Sequence, residues 1–355
     1  MTAFGPIILL GSGETAPSAH KIHHWGMDHF SPPISVAIIE TPAGFEPNSD
    51  LVASKVGEYL VQHLQNFQPQ IEIIPARKRG TMFSPNDPDL LAPALESDYL
   101  FMGPGSPTYA VRQLAGSYAW HALIARQRLG GALCLSSACS IAASQQALPI
   151  YEIYKVGEDL HWKPGLDLFA PYGLDLVVVP HWNNRDGGDE LDTSHCYVGT
   201  ERYNRLVEML DPSITILGID ENTAVTISPE SGECQVLGVG GAVVIRDGQT
   251  QYFKRRERFP ASLLGPWRLP QPDEGIPPEI WQAAQAAQAE RVAATQAAEA
   301  VDPAVMAQAE ALAAQREAAR LNRDWATADQ LRDQIIDLGL RVQDTPDGPV
   351  LEPME

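Results

Sequence analysis

The sequence predicts an α/β fold with a doubly wound, mostly parallel sheet, followed by a C-terminal helical hairpin. Short apolar segments alternate with helical stretches up to residue 219, and polar residues follow several of those segments directly. Composition then changes after a proline-rich stretch. The 355 residues, 44% of them hydrophobic, are enough for one large core and an appended module.

Seven apolar segments of strand length form the predicted sheet. They are Pro6–Leu10, Ser35–Glu40, Ile71–Pro75, Tyr99–Gly103, Ala132–Ser136, Leu174–Val179 and Thr215–Ile219. An Asp247-Gly248 turn between Val243–Ile245 and Thr250–Phe253 predicts a hairpin that closes the domain. We therefore predict a first domain over residues 1–265.

The rest of the chain is predicted to be a linker and a helical module. Prolines from Pro266 to Pro278 predict a stiff linker over 266–278. The module over 279–355 starts with a tract rich in Ala, Gln and Glu. It continues with apolar residues at helical spacing that end at Gly339, a residue suited to a helix C-cap. Two antiparallel helices would bury that apolar stripe.

One serine stands where the fifth predicted strand ends. The apolar run from Ala132 passes into Ser136, Ser137 and Ala138, small residues that begin a helix, as in a nucleophile elbow. Such a turn exposes the hydroxyl at the edge of the sheet and directs the first helical N–H groups at a developing oxyanion. Ser137 is therefore the candidate nucleophile.

A base and an acid follow later strands. His181 comes directly after the apolar run that ends at Val179 and Pro180, and Asp220 and Glu221 come after the strand that ends at Ile219. Catalytic groups gather at these strand ends in open α/β sheets, so Ser137, His181 and Glu221 form a candidate triad. Alternation along the strand does not decide between Asp220 and Glu221 as the carboxylate that orients the histidine.

These motifs resemble the cyanophycinase and aspartyl dipeptidase (peptidase E) family over residues 6–246. The resemblance rests on the elbow serine, the histidine followed by Trp182, and the string Gly218-Ile219-Asp220-Glu221-Asn222-Thr223-Ala224. It implies the class I glutamine amidotransferase-like fold and hydrolysis of a small peptide or isopeptide next to aspartate. It also implies that Ser137 is the nucleophile, His181 the base and Glu221 the acid. Arg202 lies in a stretch that resembles the family's arginine-bearing helix and is a candidate substrate contact.

A fourth motif concerns the oxyanion. Gly103-Pro104-Gly105-Ser106-Pro107 follows a predicted strand and resembles a pattern of glutamine amidotransferase domains. There the glycine before the proline supplies an oxyanion N–H. We therefore expect the amides of Gly103 and Ala138 to form the oxyanion pair.

The connection between nucleophile and base, Leu148–Gly165, is dense in aromatic and charged residues. Connections in this position usually border the pocket, so Glu152, Lys155, His161 and Trp162 are candidate substrate contacts. An ordinary polar loop stabilised by aromatic packing is the alternative.

The turn at the serine departs from the usual G-x-S-x-G, because Leu135 and Cys139 replace both glycines. This leaves a second hypothesis, a catalytically degenerate amidotransferase-like domain kept as a binding module. A thiol nucleophile at Cys139 is a further alternative, although it lies two residues past the expected position.

The C-terminal end carries a second resemblance. Arg316–Arg320, Asp324–Asp333 and Leu338–Gly348 resemble the C-terminal helical tail of cysteinyl-tRNA synthetases. That resemblance implies a tRNA-binding segment with four arginines near phosphates: Arg316, Arg320, Arg323 and Arg332. The interpretation we prefer is a portable packing unit, or a homodimer contact, in which acidic neighbours neutralise the arginines. The sequence has no synthetase active-site motif.

Other functional classes receive little support. The net charge of −20 argues against nonspecific nucleic-acid binding. No apolar run is long enough to span a membrane and no signal peptide is evident, so we expect a cytoplasmic protein. The turn Gly11–Glu14 lacks the third glycine of a dinucleotide fingerprint, and we expect no cofactor.

A cluster of histidines near the N-terminus also lacks a metal-binding signature. For this cluster, His20, His23, His24 and His29, we expect a solvated helix or loop rather than a zinc site.

Overall fold

The computed structural model describes residues 3–299, 303–345 and 348–353. The chain forms two compact units, Met1–Ala289 and Glu290–Glu355. The domain limits predicted from the sequence, at 265 and 279, stay predictions. Within the described ranges, none of the helices is both long and apolar enough to cross a membrane.

The helices that begin in the first unit separate most of its parallel strands. They are α1 (Ala19–Met27), α2 (Ser49–His63), α3 (Pro88–Glu96), α4 (Pro107–Leu114), α5 (Tyr118–Arg128), α6 (Ala138–Ala142), α7 (Thr200–Val207) and α8 (Pro278–Glu299).

The strands of this unit fall into two main sheets and a small ribbon. They are β1 (Ile7–Leu10), β2 (Ser35–Ile39), β3 (Gln70–Ile74), β4 (Tyr99–Met102), β5 (Ala132–Ser136), β6 (Gln146–Ala147), β7 (Lys163–Pro164), β8 (Leu176–Val179), β9 (Thr215–Ile219), β10 (Thr223–Ser228), β11 (Glu233–Gly238), β12 (Ala242–Arg246), β13 (Gln249–Phe253) and β14 (Arg258–Pro260).

The predicted α/β fold with a mostly parallel central sheet is confirmed. Strand order in the large sheet is β14-β11-β10-β1-β5-β4-β2-β3, and the strands from β1 to β3 in this order pair in parallel. Strands β10, β11 and β14 extend it by antiparallel pairing. The predicted strands that became β8 and β9 lie in a second sheet, β13-β12-β9-β8. Hydrophobic periodicity identifies a strand but does not tell which neighbour it pairs with, and the sequence did not indicate β10 and β11.

The central strands are buried on both faces. Ile7 and Leu9 of β1 belong to one core cluster and Ile8 and Leu10 to another, because successive side chains of a strand point to opposite faces. All four are fully buried. Polar chemistry is therefore confined to the ends of these strands and to the loops that follow them.

The predicted linker belongs to the first unit and packs against the rest of it. Trp267 stacks on Tyr172 with their ring centroids 4.9 Å apart. Further along, Ile276 and Ile280 form a small apolar cluster with Ala122 of α5. The prolines thus lie in a segment that is held by side-chain contacts.

The second unit contains the two predicted helices and an additional hairpin. These elements are α9 (Pro303–Leu321), α10 (Trp325–Asp337), β15 (Leu340–Thr345) and β16 (Gly348–Pro353). Ala313 and Ile335 are buried between the helices together with Leu340 of β15. Gly339 has a φ of 78° and donates its N–H to Ile336 O at 2.8 Å, as expected for the C-cap. Within the synthetase-like string, residues 346–347 lie outside the described residues.

Candidate active site

Ser137 connects β5 to α6 in an uncommon backbone conformation. Its φ is 50° and its ψ is −106°, and its N–H donates to Leu10 O at 2.9 Å. Positive φ is costly for a residue with a side chain and is often found at functional sites. The side chains of Leu135 and Cys139 are buried in the core, so neither occupies the space in front of the serine.

A continuous chain of hydrogen bonds runs from the serine to a carboxylate. Ser137 Oγ lies 2.9 Å from His181 Nε2, and His181 Nδ1 lies 2.9 Å from Glu221 Oε1. An ionised carboxylate only accepts hydrogen bonds, so Nδ1 carries the proton and Nε2 is free to accept from the serine hydroxyl. The structure thus brings together the three side chains that the sequence selected.

Glu221, and not Asp220, faces the histidine. The Asp220 carboxylate instead accepts the N–H of Gly241 at 2.7 Å, and burial raises the pKa of Asp220. The hydrogen bond with His181, aided by a second from Asn184, holds the pKa of Glu221 below its ordinary value against the opposing effect of burial. Glu221 therefore remains ionised beside the ring.

Asn184 is a member of this network that the sequence did not reveal. Its Nδ2 donates to Glu221 Oε1 at 2.8 Å, and the side chain is almost completely buried. Its own N–H donates to His181 O at 3.1 Å. The only available signal was its position three residues after the histidine. Asn184 therefore helps to hold the Glu221 carboxylate beside the ring.

The serine and histidine open into a pocket of about 340 Å³. Its walls include three tyrosines, Tyr151, Tyr154 and Tyr197, of which none was singled out from the sequence. The Tyr154 and Tyr197 ring centroids lie 5.7 Å apart. A π-helical turn over Glu152–Val156 borders this pocket, and such turns are frequent at functional sites.

Of the five predicted substrate contacts, Lys155 lies in the pocket. Its Nζ is 4.6 Å from the centroid of the Tyr151 ring. Glu152 instead accepts a hydrogen bond from Thr108 Oγ1 at 2.5 Å and borders a different cleft, which it shares with Lys163. Glu152 and Lys155 are three residues apart in the π-helical turn, and their side chains reach different cavities.

The other three predicted contacts have structural partners. Among the described residues that line the pocket, His161, Trp162 and Arg202 are not found. Trp162 Nε1 donates to Leu206 O at 2.8 Å. Arg202 Nε donates to Val198 O at 2.6 Å, in the segment that leads to Tyr197. His161 Nδ1 lies 2.8 Å from Asp159 O. Residue type alone does not distinguish such local contacts from direct contact with a substrate.

The two predicted oxyanion donors lie at neighbouring strand ends. Ala138 lines the pocket, and its N–H is in the first turn of α6, where it has no acceptor within the helix. Gly103 directly follows β4, the strand beside β5, while the next residues, Pro104 and Gly105, line the pocket. Gly105 has a φ of 150°, and a Cβ there would lie 2.1 Å from Pro42 O, so this position requires glycine.

The expectation of a solvated histidine cluster is wrong for His23. This side chain is fully buried, with Nδ1 at 2.8 Å from Tyr99 Oη and Nε2 at 2.8 Å from Glu14 O. Burial lowers the pKa of His23 from 6.5 to about 4. Within the part of the chain that the structure describes, no cluster of three or more His, Cys, Asp or Glu side chains is arranged to hold a metal ion.

Comparison with known proteins shows two separate similarities, and the first concerns the C-terminal end. Residues 302–348 match the cysteinyl-tRNA ligase anticodon binding domain. Cysteine–tRNA ligase of Streptomyces avermitilis is 60% identical over 35 residues, which are 10% of this chain and 8% of the ligase. That of Maridesulfovibrio salexigens is 49% identical over 45 residues, or 13% of this chain and 9% of the ligase. The chain thus spans less than a tenth of these relatives.

The second similarity concerns the fold of the larger part of the chain. A peptidase from an acI-B1 Actinobacterium superposes with a TM-score of 0.57 at 18% identity, covering 73% of this chain and 97% of the peptidase. A putative peptidase E protein from Listeria monocytogenes EGD-e is 15% identical, and the match covers 67% of this chain and 100% of that protein with a TM-score of 0.45. The first superposition shows that this chain has the fold of a known peptidase.

Proposed function

We propose that the protein is a serine hydrolase that cleaves peptide or isopeptide bonds through Ser137, His181 and Glu221. The observation that carries the proposal is the unbroken chain of 2.9 Å contacts from hydroxyl to imidazole to carboxylate at the wall of a pocket. The order of the three groups supports the roles proposed for them, and so does the positive φ of the serine.

The proposed reaction begins when His181 Nε2 takes the proton of Ser137 as its Oγ attacks the scissile carbonyl carbon. The negative charge that forms on the carbonyl oxygen is stabilised by the amides of Ala138 and Gly103. The C–N bond then breaks, and the imidazolium returns the proton to the leaving amine. Water, activated by the same histidine, hydrolyses the acyl-enzyme and frees the serine.

The pocket chemistry supports a small peptide with an acidic group as substrate. Lys155 provides a positive charge at the wall, and the tyrosines Tyr151, Tyr154 and Tyr197 give flat surfaces with polar tips. A carboxylate of the substrate would meet Lys155, which agrees with the aspartate-containing substrates implied by the sequence resemblance.

The test is covalent labelling with a fluorophosphonate, read by intact mass. Wild type should gain one adduct and Ser137→Ala none, because only an activated serine reacts at an appreciable rate. Ser136→Ala is the matched control, since Ser136 is fully buried and donates to Glu14 Oε2 at 2.9 Å. Wild-type protein that has not been treated with the probe would then be assayed on aspartyl dipeptides and cyanophycin. An unlabelled wild type, or equal labelling of Ser137→Ala, contradicts the proposal.

The match at residues 302–348 favours a second candidate function, a degenerate domain that acts as a tRNA-associated binding module. A mobility shift of tRNA by the full chain that weakens as salt increases would support it, because phosphate contacts release counterions. No shift at low salt, together with serine labelling, would remove this candidate.

A further inference from the structure

Helix α5 ends in two buried arginines with very different surroundings. Arg126 donates to the backbone oxygens of Ser97 and Leu129 at 2.6 and 3.0 Å. Arg128 is 1% exposed, yet within the described residues none of its three guanidinium nitrogens has a hydrogen-bond partner. A buried charge without acceptors is strongly destabilising, so Arg128 is suited to an acceptor supplied from outside the chain.

Aromatic rings hold the Arg128 guanidinium in place. Its central carbon lies 5.0 Å from the centroid of the Phe4 ring and 4.6 Å from that of Tyr172. Ring faces attract a cation, but they do not provide the paired oxygens that match the planar fork of a guanidinium. The side chain is therefore positioned while its N–H groups keep their capacity to donate.

Arg128 lines a cavity of about 220 Å³. That is ample room for a molecule of several heavy atoms, because one water occupies about 30 Å³ in the liquid. Gly116 and Gly275 lie at its border and are exposed, so the cavity reaches the surface. Glu274 also borders it, but both its carboxylate oxygens accept from Arg268. Glu274 is thus already paired.

The same cavity contains a second unsatisfied group. Asp167 Oδ1 is buried and has no hydrogen-bond partner in the described part of the chain. The residue has a φ of 51°, an uncommon backbone conformation for a residue with a side chain. Both residues therefore line one small space, with their unpaired polar atoms beneath its surface, so binding requires these side chains to turn into it.

We propose that the cavity between Arg128 and Asp167 binds a small carboxylic acid with a hydrogen-bond donor beside its carboxylate, such as an α-amino or α-hydroxy acid. The ligand carboxylate accepts two parallel hydrogen bonds from the Arg128 fork, and its ammonium or hydroxyl group donates to Asp167 Oδ1. A planar carboxylate matches the fork, whereas a doubly charged phosphate would be repelled by the aspartate.

This site is separate from the pocket at Ser137. Arg128 lies just before β5 and Ser137 just after it, and five residues of strand span about 17 Å. As far as the described residues define them, the two cavities share no lining residue. Binding can therefore be measured whether or not the protein hydrolyses peptides.

The experiment measures binding of glycine, glycolate and acetate to the full chain by isothermal titration, at constant ionic strength. Glycine and glycolate should bind wild type more tightly than acetate, which lacks the donor. Arg128→Met should bind glycine about ten- to a hundredfold more weakly, because a charge-assisted pair is lost. Arg255→Met, at an exposed position, is the matched control and should bind like wild type.

Two further variants keep the test decisive if Arg128→Met does not fold. Arg128→Lys retains the charge but not the fork and should also weaken binding. Asp167→Asn should reduce the preference for glycine over acetate. The proposal is overturned if none of the three compounds binds wild type, if acetate binds as tightly as glycine and glycolate, or if the Arg128 variants bind like wild type. Fluorophosphonate labelling of Ser137 should be unchanged in every variant.

Discussion

The region around Ser137 and the C-terminal unit differ in what their polar side chains do. At the first, a serine, a histidine and a carboxylate form hydrogen bonds that end at a pocket. In the second, Arg316 and Arg320 both bind the chain's own Asp344. The C-terminal segment has the stronger sequence match, yet its charges are used internally. Sequence similarity identifies where a segment comes from, whereas hydrogen-bond geometry tells whether its side chains are available for chemistry.

Backbone conformation shows the same contrast less sharply. Ser137, His181 and Asn222 have φ values of 50°, 49° and 55°. Ser137 directly follows β5, His181 follows β8 after one residue, and Asn222 directly precedes β10. Strain of this kind persists only where the surrounding structure enforces it. In the second unit, positive φ falls on Gly339, where it caps a helix at little cost, and on Arg323, which lies between α9 and α10. Positive φ therefore accompanies two members of the triad but is not confined to that region.

The largest expected effect is that of removing the histidine. His181→Ala should slow fluorophosphonate labelling of Ser137 by about 10⁴- to 10⁶-fold, because the serine loses its base. The rate is measured from a time course of adduct mass. Arg316→Ala in the C-terminal unit is the comparison and should label at the wild-type rate. Equal rates in His181→Ala and wild type would show that the contact with the serine is not a catalytic one.

Replacing the carboxylate should have the next largest effect. Glu221→Gln should slow labelling by about 10⁴-fold, because an amide cannot hold the histidine in the required tautomer as its charge develops. Asp220→Asn is the matched control, since that carboxylate accepts from the Gly241 amide and not from the ring. If the two variants lost reactivity equally, the assignment of Glu221 as the orienting acid would fail.

Much of the fold followed from the sequence, because the central strands are apolar runs of the right length between helical stretches. The contact of Ser137 with His181 was also predicted, because polar residues after strands gather at strand ends, although the strands before these two residues lie in different sheets. Their catalytic role stays a prediction. Tyr197 was not foreseeable, because it reaches the pocket through the positive φ values of His195, Cys196 and Tyr197, and no local pattern indicates that path.

Two other differences from the sequence-based expectations also arise from contacts that no local sequence pattern indicates. The choice between Asp220 and Glu221 depended on where the later strands run. Gly241, the residue before β12, donates its N–H to the Asp220 carboxylate. His23 was expected in solvent, but it is buried and contacts Tyr99 and Glu14. Tyr99 is far from it in sequence, and Glu14 lies in the turn after β1. Long-range packing decides both.

The buried His23 gives the third prediction, which is that acid lowers the stability of the first unit through a group that the second unit lacks. His23 stays neutral in the fold while the unfolded chain binds a proton below pH 6.5, so stability falls as pH decreases from 6.5 to about 4. The loss attributable to this group is about 3 kcal/mol. Residues 290–355 contain no histidine, so the second unit lacks this contribution.

Hydrogen exchange checks this by comparing variant and wild type at equal pH. His23→Gln should remove most of the difference in protection between pH 7 and pH 5 in peptides of the first unit. His20→Gln, at an exposed position, should not. Identical acid sensitivity in both variants would mean that other groups cause it.

The smallest expected effect tests whether the C-terminal arginines are structural. Arg316 makes two hydrogen bonds to Asp344, at 2.6 and 3.1 Å, but that carboxylate is 47% exposed. Asp344→Asn should therefore lower the free energy of unfolding of this unit by only about 1 kcal/mol, measured by urea denaturation. The same variant frees Arg316 and Arg320 for phosphates. A tRNA affinity that appears or rises in Asp344→Asn would mean that the aspartate masks a binding surface, whereas an unchanged affinity means that the arginines serve the packing of the hairpin against its helices.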